Sequence, residues 1–360
     1  AEISDEDSFT FEERVIAGYL MGTAYVGRAQ IIAGVRMENT RNTIDAWNTD
    51  PVNGERYTRD RTSFTNWLPS VHVNYDIDRK TKLRAAIWTS FARPDIARMS
   101  SAREYSYDHD PDADGVENPT SDWILTGIEM GNPNLKPLRS TNFDISLERY
   151  NGSTGAYSIA AFYKSIDNFL FRSSSSNIRH GTAGQNVNPE GVAITMPNNG
   201  KWAEVYGVEI SGQQLLHWLP GALGSLGIAG NVTLQRSKAA TGLSWHPEGY
   251  TLPLMETPET IANLQLFWER DGWEVYGAWN YQSKFMAGIN DFGNDPYEQA
   301  YSFVDLTLRK SFLKKSSVQV QVQNLFDSHT YWQTVSTSEG ASRAYIKNGR
   351  TISLGVNLIF

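Results

Sequence analysis

The 360-residue sequence contains no cysteine. This absence excludes disulfide frameworks and thiolate metal sites, but it does not identify the compartment, because many exported proteins also lack cysteine. The sequence also lacks any apolar run of about 18 residues, the length that a membrane-spanning helix needs. Residues 1–20 have neither the basic start nor the apolar middle of a signal peptide. We therefore expect any export signal to lie upstream of residue 1.

Basic residues are not concentrated in any part of the chain. The formal net charge is -8, and acidic and basic residues are interleaved along the whole length. Without a basic stripe that could bind a phosphate backbone, we expect no nucleic acid partner. The HExxH, GxSxG and P-loop motifs are also absent, and the six histidines have no metal-ligand spacing. We therefore expect no enzymatic activity and no resident catalytic cofactor.

The sequence is rich in alternation between apolar and polar residues. Residues 318–323 read VQVQVQ, and the same alternation is found at 29–38, 71–77, 143–148 and 351–358. Alternation of this kind predicts strands that have one apolar and one polar face. The mean hydropathy of -0.43 is compatible with a membrane barrel, because the period-two pattern of such a barrel averages to a polar value.

The alternation predicts an odd number of strands. They lie at 9–26, 28–45, 58–77, 80–92, 138–150, 155–172, 200–216, 224–238, 257–270, 273–286, 299–311, 316–327 and 349–360. Short turns between them alternate with long connections, which lie at 46–57, 93–137, 173–199, 239–256, 287–298 and 328–348. We predict an all-β fold, an antiparallel transmembrane β-barrel with short periplasmic turns and long extracellular loops.

The odd strand number bears on closure of the barrel. The first and last predicted strands both run toward the rim that carries the short turns, so pairing them would put two parallel neighbours at the seam. Bacterial single-chain barrels are even-numbered and antiparallel throughout. We therefore expect these strands to be part of a larger barrel. Trp218, Trp268 and Trp273 lie at or beside predicted short turns, which predicts an aromatic girdle.

Several segments resemble the proteobacterial TonB-dependent receptor family, in the same order over nearly the whole chain. They are LPSVHVNYDI (68–77), LRAAIWTSFARPDI (83–96), GNPNLKPLRSTNFDISLERY (131–150), AAFYKSIDNFLF (160–171), VYGVEISGQQ (205–214), LPGALGSLGIAGNVT (219–233), VQNLFD (322–327) and GRTISLGVNLIF (349–360). An aromatic residue that ends an alternating strand is similar to the assembly signal of outer-membrane barrels. Phe360 would then be read by the barrel-insertion machinery.

The resemblance implies a function and a location. It implies active uptake of a scarce ligand, possible candidates being a carbohydrate or a siderophore, across the bacterial outer membrane, with energy supplied through the TonB complex. It also implies a barrel of roughly 22 strands, of which residues 1–360 would be the later, C-terminal portion in contact with outer-membrane lipid. The plug domain, the TonB box and the early strands would lie outside this chain.

Two sets of residues are candidates for binding this ligand and the plug. Aromatic rings stack on organic ligands and arginines pair with carboxylate or phosphate groups. The predicted ligand-binding residues in the long connections and at the lumen rim are Trp47, Arg98, Tyr105, Trp123, Arg172, Trp245, Tyr250, Tyr331, Trp332 and Arg343. The residues predicted to line the lumen and to contact the plug are Arg36, Arg84, Asp144, Glu148, Glu209, Asp305 and Arg309.

One acidic segment has the spacing of a metal loop. Asp110, Asp112 and Asp114 stand at alternate positions before Gly115, as in the first half of a calcium loop. Ser121 occupies the twelfth position, where such a loop has a bidentate glutamate. Two interpretations remain open, a loop that binds Ca²⁺ and a solvated acidic loop tip.

Two other functions are compatible with a sequence rich in strands. A passive channel of about 14 strands would need an even strand number and no plug. A soluble β-sandwich adhesin or lectin would bury its apolar faces in its own core. The direction in which the apolar faces point therefore distinguishes a sandwich from both barrels.

Overall fold

A computed structural model describes most of the chain. The described residues are 9–50, 54–109, 123–152, 154–178, 186–187, 192–243, 248–289, 295–313, 316–334 and 341–358. The strands are β1 Phe9–Val26, β2 Ala29–Asp50, β3 Gly54–Asp76, β4 Thr81–Ala92, β5 Arg103–His109, β6 Trp123–Met130, β7 Leu138–Tyr150, β8 Gly155–Asp167, β9 Leu170–Ile178, β10 Asn186–Val187, β11 Val192–Asn199, β12 Trp202–Leu215, β13 Leu226–Ala240, β14 Thr260–Arg270, β15 Trp273–Gln282, β16 Phe285–Met286, β17 Pro296–Glu298, β18 Tyr301–Leu313, β19 Ser316–Gln323, β20 Thr330–Thr334, β21 Ala341–Ile346 and β22 Thr351–Asn357.

Helical structure is scarce among these residues. The helix α1 comprises Ile96–Met99, and a 3-10 turn comprises Gly221–Ser225. Within the described part of the chain, no helix has the length and apolar character needed to cross a membrane.

The principal sheet has 13 strands, in the order β1-β2-β3-β4-β7-β8-β12-β13-β14-β15-β18-β19-β22. Neighbours in this order are antiparallel, as predicted from the alternation. Because the number of strands is odd, β1 and β22 run in the same direction. The sheet is open between these two edge strands within the described residues.

The apolar face of this sheet points outward. Ile145, Ala161, Val208 and Leu234 are successive cross-strand partners on four neighbouring strands. The exposed fractions of Ile145, Val208 and Leu234 are 50%, 40% and 47%. A soluble sandwich would bury these side chains, whereas lipid covers them in a barrel. The prediction of outward apolar faces is therefore confirmed.

The opposite face carries a polar network near the short turns. Gln30 donates to the Tyr25 hydroxyl and accepts from Asn74. Arg84 donates to the Asn74 side chain and pairs with Glu148, with its Nε 2.9 Å from Glu148 Oε1. The network extends from β1 across β2, β3 and β4 to β7, so these strands present a continuous hydrophilic inner wall.

Several connections predicted as loops contain strands. The connection 93–137 contains β5 and β6, and these form a five-stranded sheet with β9, β10 and β11, most of which lie within 173–199. A four-stranded sheet is formed by β16, β17, β20 and β21. The loop prediction was wrong for these segments. Most of these strands are short, and some pair with segments distant in sequence, as β6 does with β11, so they show no sustained alternation of their own.

The predicted loop 46–57 is also mostly strand. The ladder between β2 and β3 continues through the pair Asp50 and Gly54. On the inward face of β2, Ile44 and Ala46 are fully buried and Asn48 is 1% exposed. Polar and apolar residues share this buried face, so alternation alone does not reveal the strand.

Two predicted strands end early. The predicted strand 155–172 is interrupted after Asp167, and the predicted strand 316–327 ends at Gln323. Asn168 and Asn324 follow these ends with φ values of 58° and 53°. This left-handed conformation is available to asparagine and breaks the pleat of a strand.

The connections from the long-loop side pack against the inner wall. The residue Ile44 on β2 is in one cluster with Met99 of α1 and Leu135. A second cluster joins Ala203 and Val205 of β12 with Leu252, Met286 and Ile289, among others. The upper half of the inner wall is thus covered by chain that folds back from the extracellular side, and a space remains between the two clusters.

Candidate ligand-binding site

The space between these clusters is a cavity of about 1290 Å³. Its walls come from residues 92–103, from the adjoining ends of β6 and β9, from 254–256 and from 287–289. Ligand pockets usually measure about 300–1,000 Å³. The cavity can therefore accept a ligand larger than a typical metabolite.

The first wall is held against the barrel by an ion pair. Arg93 follows β4 directly and pairs with Glu38 on the inward face of β2, where Glu38 is only 7% exposed. Glu13 of β1 lies 3.6 Å from the Arg93 guanidinium, and Arg36 also pairs with Glu38 at 2.8 Å. The two arginines neutralise a carboxylate that is buried beneath the folded-back chain.

A short cap positions the next arginine. The Asp95 side chain accepts a hydrogen bond from the Ala97 backbone N–H at 3.1 Å and begins α1. The Arg98 carbonyl accepts from the Asn132 backbone N–H at 2.8 Å. The Arg98 side chain is exposed on the cavity wall and forms no ion pair within the described residues.

Arg103 has a backbone anchor and an unsatisfied side-chain donor. Its backbone N–H donates to Asn48 Oδ1 at 2.5 Å. Its Nε is buried and has no hydrogen-bond partner among the described residues. A buried donor without a partner costs free energy, so this group is ready to bind an acceptor on a ligand.

The opposite wall combines charge with apolar surface. Arg172 at the start of β9 pairs with Glu129 near the end of β6. Phe169 and Phe171 lie beside Arg172 on this wall, with their ring centroids 5.8 Å apart. The cavity also contains the exposed carboxylates of Glu104 and Glu256. It is a mixed site that combines guanidinium donors and carboxylates with the edges of two nearly buried phenylalanine rings.

Of the predicted ligand-binding residues, Arg98 and Arg172 meet at this cavity. The other residues with described side chains are outside its lining, namely Trp47, Tyr105, Tyr250, Tyr331 and Trp332. Trp47 is on the outward face of β2, with its ring centroid 5.0 Å from that of Tyr57. Tyr331 stacks on Tyr345 at 6.2 Å between centroids.

The remaining predicted residues are only partly described or not described. Trp123 and Arg343 are in β6 and β21, but their side chains lie outside the described part. Trp245, Phe360 and the calcium candidates Asp110, Asp112 and Asp114 lie outside the described residues. Elsewhere, the described residues contain no group of three or more His, Asp or Glu that could hold a metal ion.

The predicted lumen residues are on the inward face. Asp144 accepts a hydrogen bond from the Trp88 indole at 2.6 Å, and Arg309 pairs with Glu274 at 3.2 Å. Asp305 accepts from the Asn324 backbone N–H at 2.8 Å. Their contact with a plug remains a prediction.

Sequence reasoning missed several cavity residues. Arg93, Glu104, Glu129 and Glu256 were not among the candidates, although each lines the cavity. Arg93 stands directly after an alternating strand and before Pro94, and this position at a strand end is a signal that could have identified it. The glutamates belong to segments without a distinctive pattern.

Known proteins resemble this chain in sequence and in fold. The family "TonB dependent receptor-like, beta-barrel" matches residues 3–325. The "Iron-regulated outer membrane virulence protein" of Vibrio cholerae serotype O1 is 26% identical over an alignment of 314 residues, and the match covers 85% of this chain and 41% of that protein. The chain thus spans about two-fifths of the length of this curated relative.

Solved structures share the fold at low sequence identity. The ferric-catecholate import receptor Fiu from Escherichia coli K12 has a TM-score of 0.64 and 17% identity, over 96% of this chain and 44% of that one. The ferric yersiniabactin uptake receptor FyuA from Yersinia pestis has a TM-score of 0.64 and 13% identity, over 97% and 46%. Because the family match covers most of the sequence and the sheet agrees with it, the chain belongs to the TonB-dependent receptor β-barrel family of the bacterial outer membrane.

Proposed function

We propose that this chain is part of a TonB-dependent importer whose ligand is an anionic organic chelate of a metal such as iron. The observation that carries the proposal is the cavity of about 1290 Å³, in which Arg98 and Arg103 form no ion pair within the described residues. Guanidinium groups bind carboxylates and other oxygen anions with two parallel hydrogen bonds. A chelate with acidic donor groups supplies such oxygens.

The relatives support this class of ligand. The curated relative is named as an iron-regulated protein, and the two solved structures are named as a ferric-catecholate import receptor and a ferric yersiniabactin uptake receptor. Such chelates combine anionic groups with an organic frame. Phe169 and Phe171, which are only 3% and 2% exposed, add an apolar part to the cavity wall that can contact the organic frame.

We also propose that further sequence completes the receptor. The curated relative is more than twice as long as the matching region, and strands β1 and β22 run in the same direction at the edges of the sheet. Additional strands would close the barrel, and a plug within it would couple to TonB. The polar inner wall with Arg84 and Glu148 is the surface that such a plug would contact.

Uptake by the full-length protein tests the proposal. In a strain in which this protein is the sole receptor, we expect growth on a ferric chelate as iron source, and we expect this growth to disappear when TonB is deleted. Uptake that persists without TonB would favour a passive channel.

Variants test the cavity itself. The double variant Arg98→Gln/Arg103→Gln should weaken binding of the ferric chelate to the purified full-length protein by about tenfold or more. Glu104→Gln, which removes a negative charge from the same cavity, should leave binding unchanged or strengthen it. Equal binding by the double variant and the wild type would contradict the assignment of the cavity.

A carbohydrate ligand is the second candidate. Two exposed aromatic pairs favour it, namely Trp47 with Tyr57 and Tyr331 with Tyr345, because sugar faces stack on aromatic rings. A neutral oligosaccharide would bind with equal affinity to the wild type and to the arginine double variant. Growth on oligosaccharides as carbon source, compared with growth on ferric chelates, separates the two candidates.

A further inference from the structure

Three arginines are grouped on the outward face of strands β1, β2 and β3. Arg14 of β1 is the direct cross-strand partner of Arg41 of β2. Arg41 in turn pairs with Ser63 of β3, and Arg61 precedes Ser63 by two residues on the same face of β3. The side chains of Arg14, Arg41 and Arg61 are all exposed. The three cations thus lie within one small area of the sheet.

The register establishes that this area faces away from the lumen. Arg14 shares its face of β1 with Leu20, and Arg41 shares its face of β2 with Val35, the cross-strand partner of Leu20. The reverse face of β2 at this level carries Asn42 and Ile44, which are buried under the folded-back chain. The arginines are therefore on the side of the barrel that faces the membrane surroundings.

The height of the group corresponds to a lipid headgroup. Trp67, which is 64% exposed, lies on the same face and marks an aromatic position above the apolar band. Ser63, the cross-strand partner of Arg41, precedes Trp67 by four residues on β3 and is therefore nearer the extracellular end of the strand. With a rise of about 3.3 Å per residue and a strand tilt of about 40°, the arginines lie about 10 Å above Trp67.

Within the described residues, the positive charge of this group is only partly balanced by carboxylates. Arg14 and Arg41 form no ion pair within the described residues, and like charges directly opposite each other destabilise a sheet. Glu12 is on the same face, next to Arg14, and also has no ion pair among the described residues. Asp45 lies two residues beyond Thr43 on β2, nearer the extracellular end, and forms an ion pair with Arg59, whose Nε is 2.5 Å from Asp45 Oδ1.

The surroundings of the arginines are small and polar. On the same face, Ser63 is the cross-strand partner of Arg41 and Thr43 is the cross-strand partner of Arg61. Asn39 donates to Thr65 Oγ1 at 2.9 Å directly below them. These side chains offer hydroxyl and amide groups to sugar hydroxyls. Below this level, the apolar surface that includes Leu20 can contact acyl chains.

We propose that Arg14, Arg41 and Arg61 form a binding site for the phosphorylated sugar headgroup of a glycolipid in the outer leaflet. Phosphate oxygens accept paired hydrogen bonds from guanidinium groups and neutralise the adjacent cations. The site is on the outer surface of the barrel, so it does not depend on which ligand the cavity binds. It would fix the barrel to a lipid at the level where β1 to β3 leave the membrane.

Binding of diphosphoryl lipid A to the purified full-length protein tests the proposal. Native mass spectrometry should show that lipid A binds the wild type, and that Arg14→Gln/Arg41→Gln weakens binding by about tenfold or more. Arg149→Gln, which removes an exposed arginine at the periplasmic rim, should leave binding unchanged. Equal binding of lipid A to the wild type and the double variant would overturn the proposal, as would equal binding of dephosphorylated lipid A to the wild type.

A further variant keeps the test decisive if the double variant does not fold. Glu12→Gln removes the acidic neighbour of Arg14 and should tighten binding of diphosphoryl lipid A, because it raises the local positive charge. Unchanged or weaker binding by this variant would contradict the electrostatic basis of the site.

Discussion

Ala160 and Ala161 are adjacent on β8, and their side chains lie on opposite faces of the sheet. Ala160 is opposite Glu209 on the lumen side, whereas Ala161 is opposite Val208 on the lipid side. We expect Ala161→Arg to destabilise the barrel by about 2–4 kcal/mol, because a cation at the middle of the lipid face loses its hydration. Ala160→Arg should change stability by less than about 1 kcal/mol, since it gains Glu209 as a partner.

Chemical unfolding in lipid vesicles would measure both free energies. The two variants start from the same residue type on the same strand, so local strand propensity is matched. Equal destabilisation by the two changes would contradict the assignment of the faces.

Gly131 provides a second test, at the cavity wall. A Cβ at this position would overlap the Ser100 carbonyl oxygen and approach the Arg98 carbonyl oxygen to 2.8 Å. We expect Gly131→Ala to displace the segment that carries α1, with a loss of about 1–3 kcal/mol in stability and weaker ligand binding. Gly288→Ala is the matched control, because its Cβ would meet Pro296 Cγ at an ordinary 3.5 Å. Thermal unfolding in detergent and ligand titration would check both variants.

The ion pair of Arg93 and Glu38 allows a double-mutant cycle. Arg93→Gln leaves the nearly buried Glu38 with Arg36 as its remaining ion-pair partner. We therefore expect a loss of about 1–2 kcal/mol in the free energy of unfolding, less than the cost of leaving a buried charge wholly unpaired. The combined variant Arg93→Gln/Glu38→Gln should cost less than the sum of the two single changes. Strict additivity would show that the two side chains do not interact.

The pH dependence of Asp45 follows from its neighbours on the extended β2–β3 ribbon. Hydrogen bonds from Arg59, and then from Tyr57, lower the pKa of Asp45 from 3.8 to about 2. A lowered pKa means that the contribution of the charged Asp45 is complete above the ordinary value and is lost as the pH falls through about 2. A carboxyl ¹³C titration should therefore find Asp45 ionised at pH 3.

Arg59→Gln is the informative variant for this titration. It should move the pKa of Asp45 back toward 3.8, because the largest cause of the lowering is removed. A midpoint near 2 in this variant would mean that another group holds Asp45 in its charged form.

The principal sheet could be predicted from sequence because each of its strands faces two different environments, lipid on one side and the lumen on the other. A strand between lipid and lumen needs one apolar and one polar face, as the Val and Gln alternation of 318–323 shows. The strand ends were harder to predict. At Asn168 and Asn324 the sequence continues without a proline or glycine, and the positive φ of each residue ends the strand.

The cavity could be predicted only in part. Arg98 stood out as an arginine in a long connection and Arg172 as one at the end of a predicted strand, and both line the cavity. Arg93 and Glu38 are more than 50 residues apart in sequence, so nothing local indicates that they meet. Aromatic residues such as Trp47 and Tyr331 also stood out, but their positions on extracellular ribbons depend on pairing that alternation does not encode.

The order of strands in the principal sheet has a consequence for biogenesis. Each strand of this sheet lies beside the one that precedes it along the chain, with the smaller sheets inserted between hairpins. If the sheet forms by adding one hairpin after another, the backbone hydrogen-bonding groups of each edge strand are paired as soon as the next strand is added. No strand of this sheet then has to find a partner that is distant in sequence. The slowest step should then be docking of α1 and Leu135 onto the inner wall, which requires β2 to be in place first.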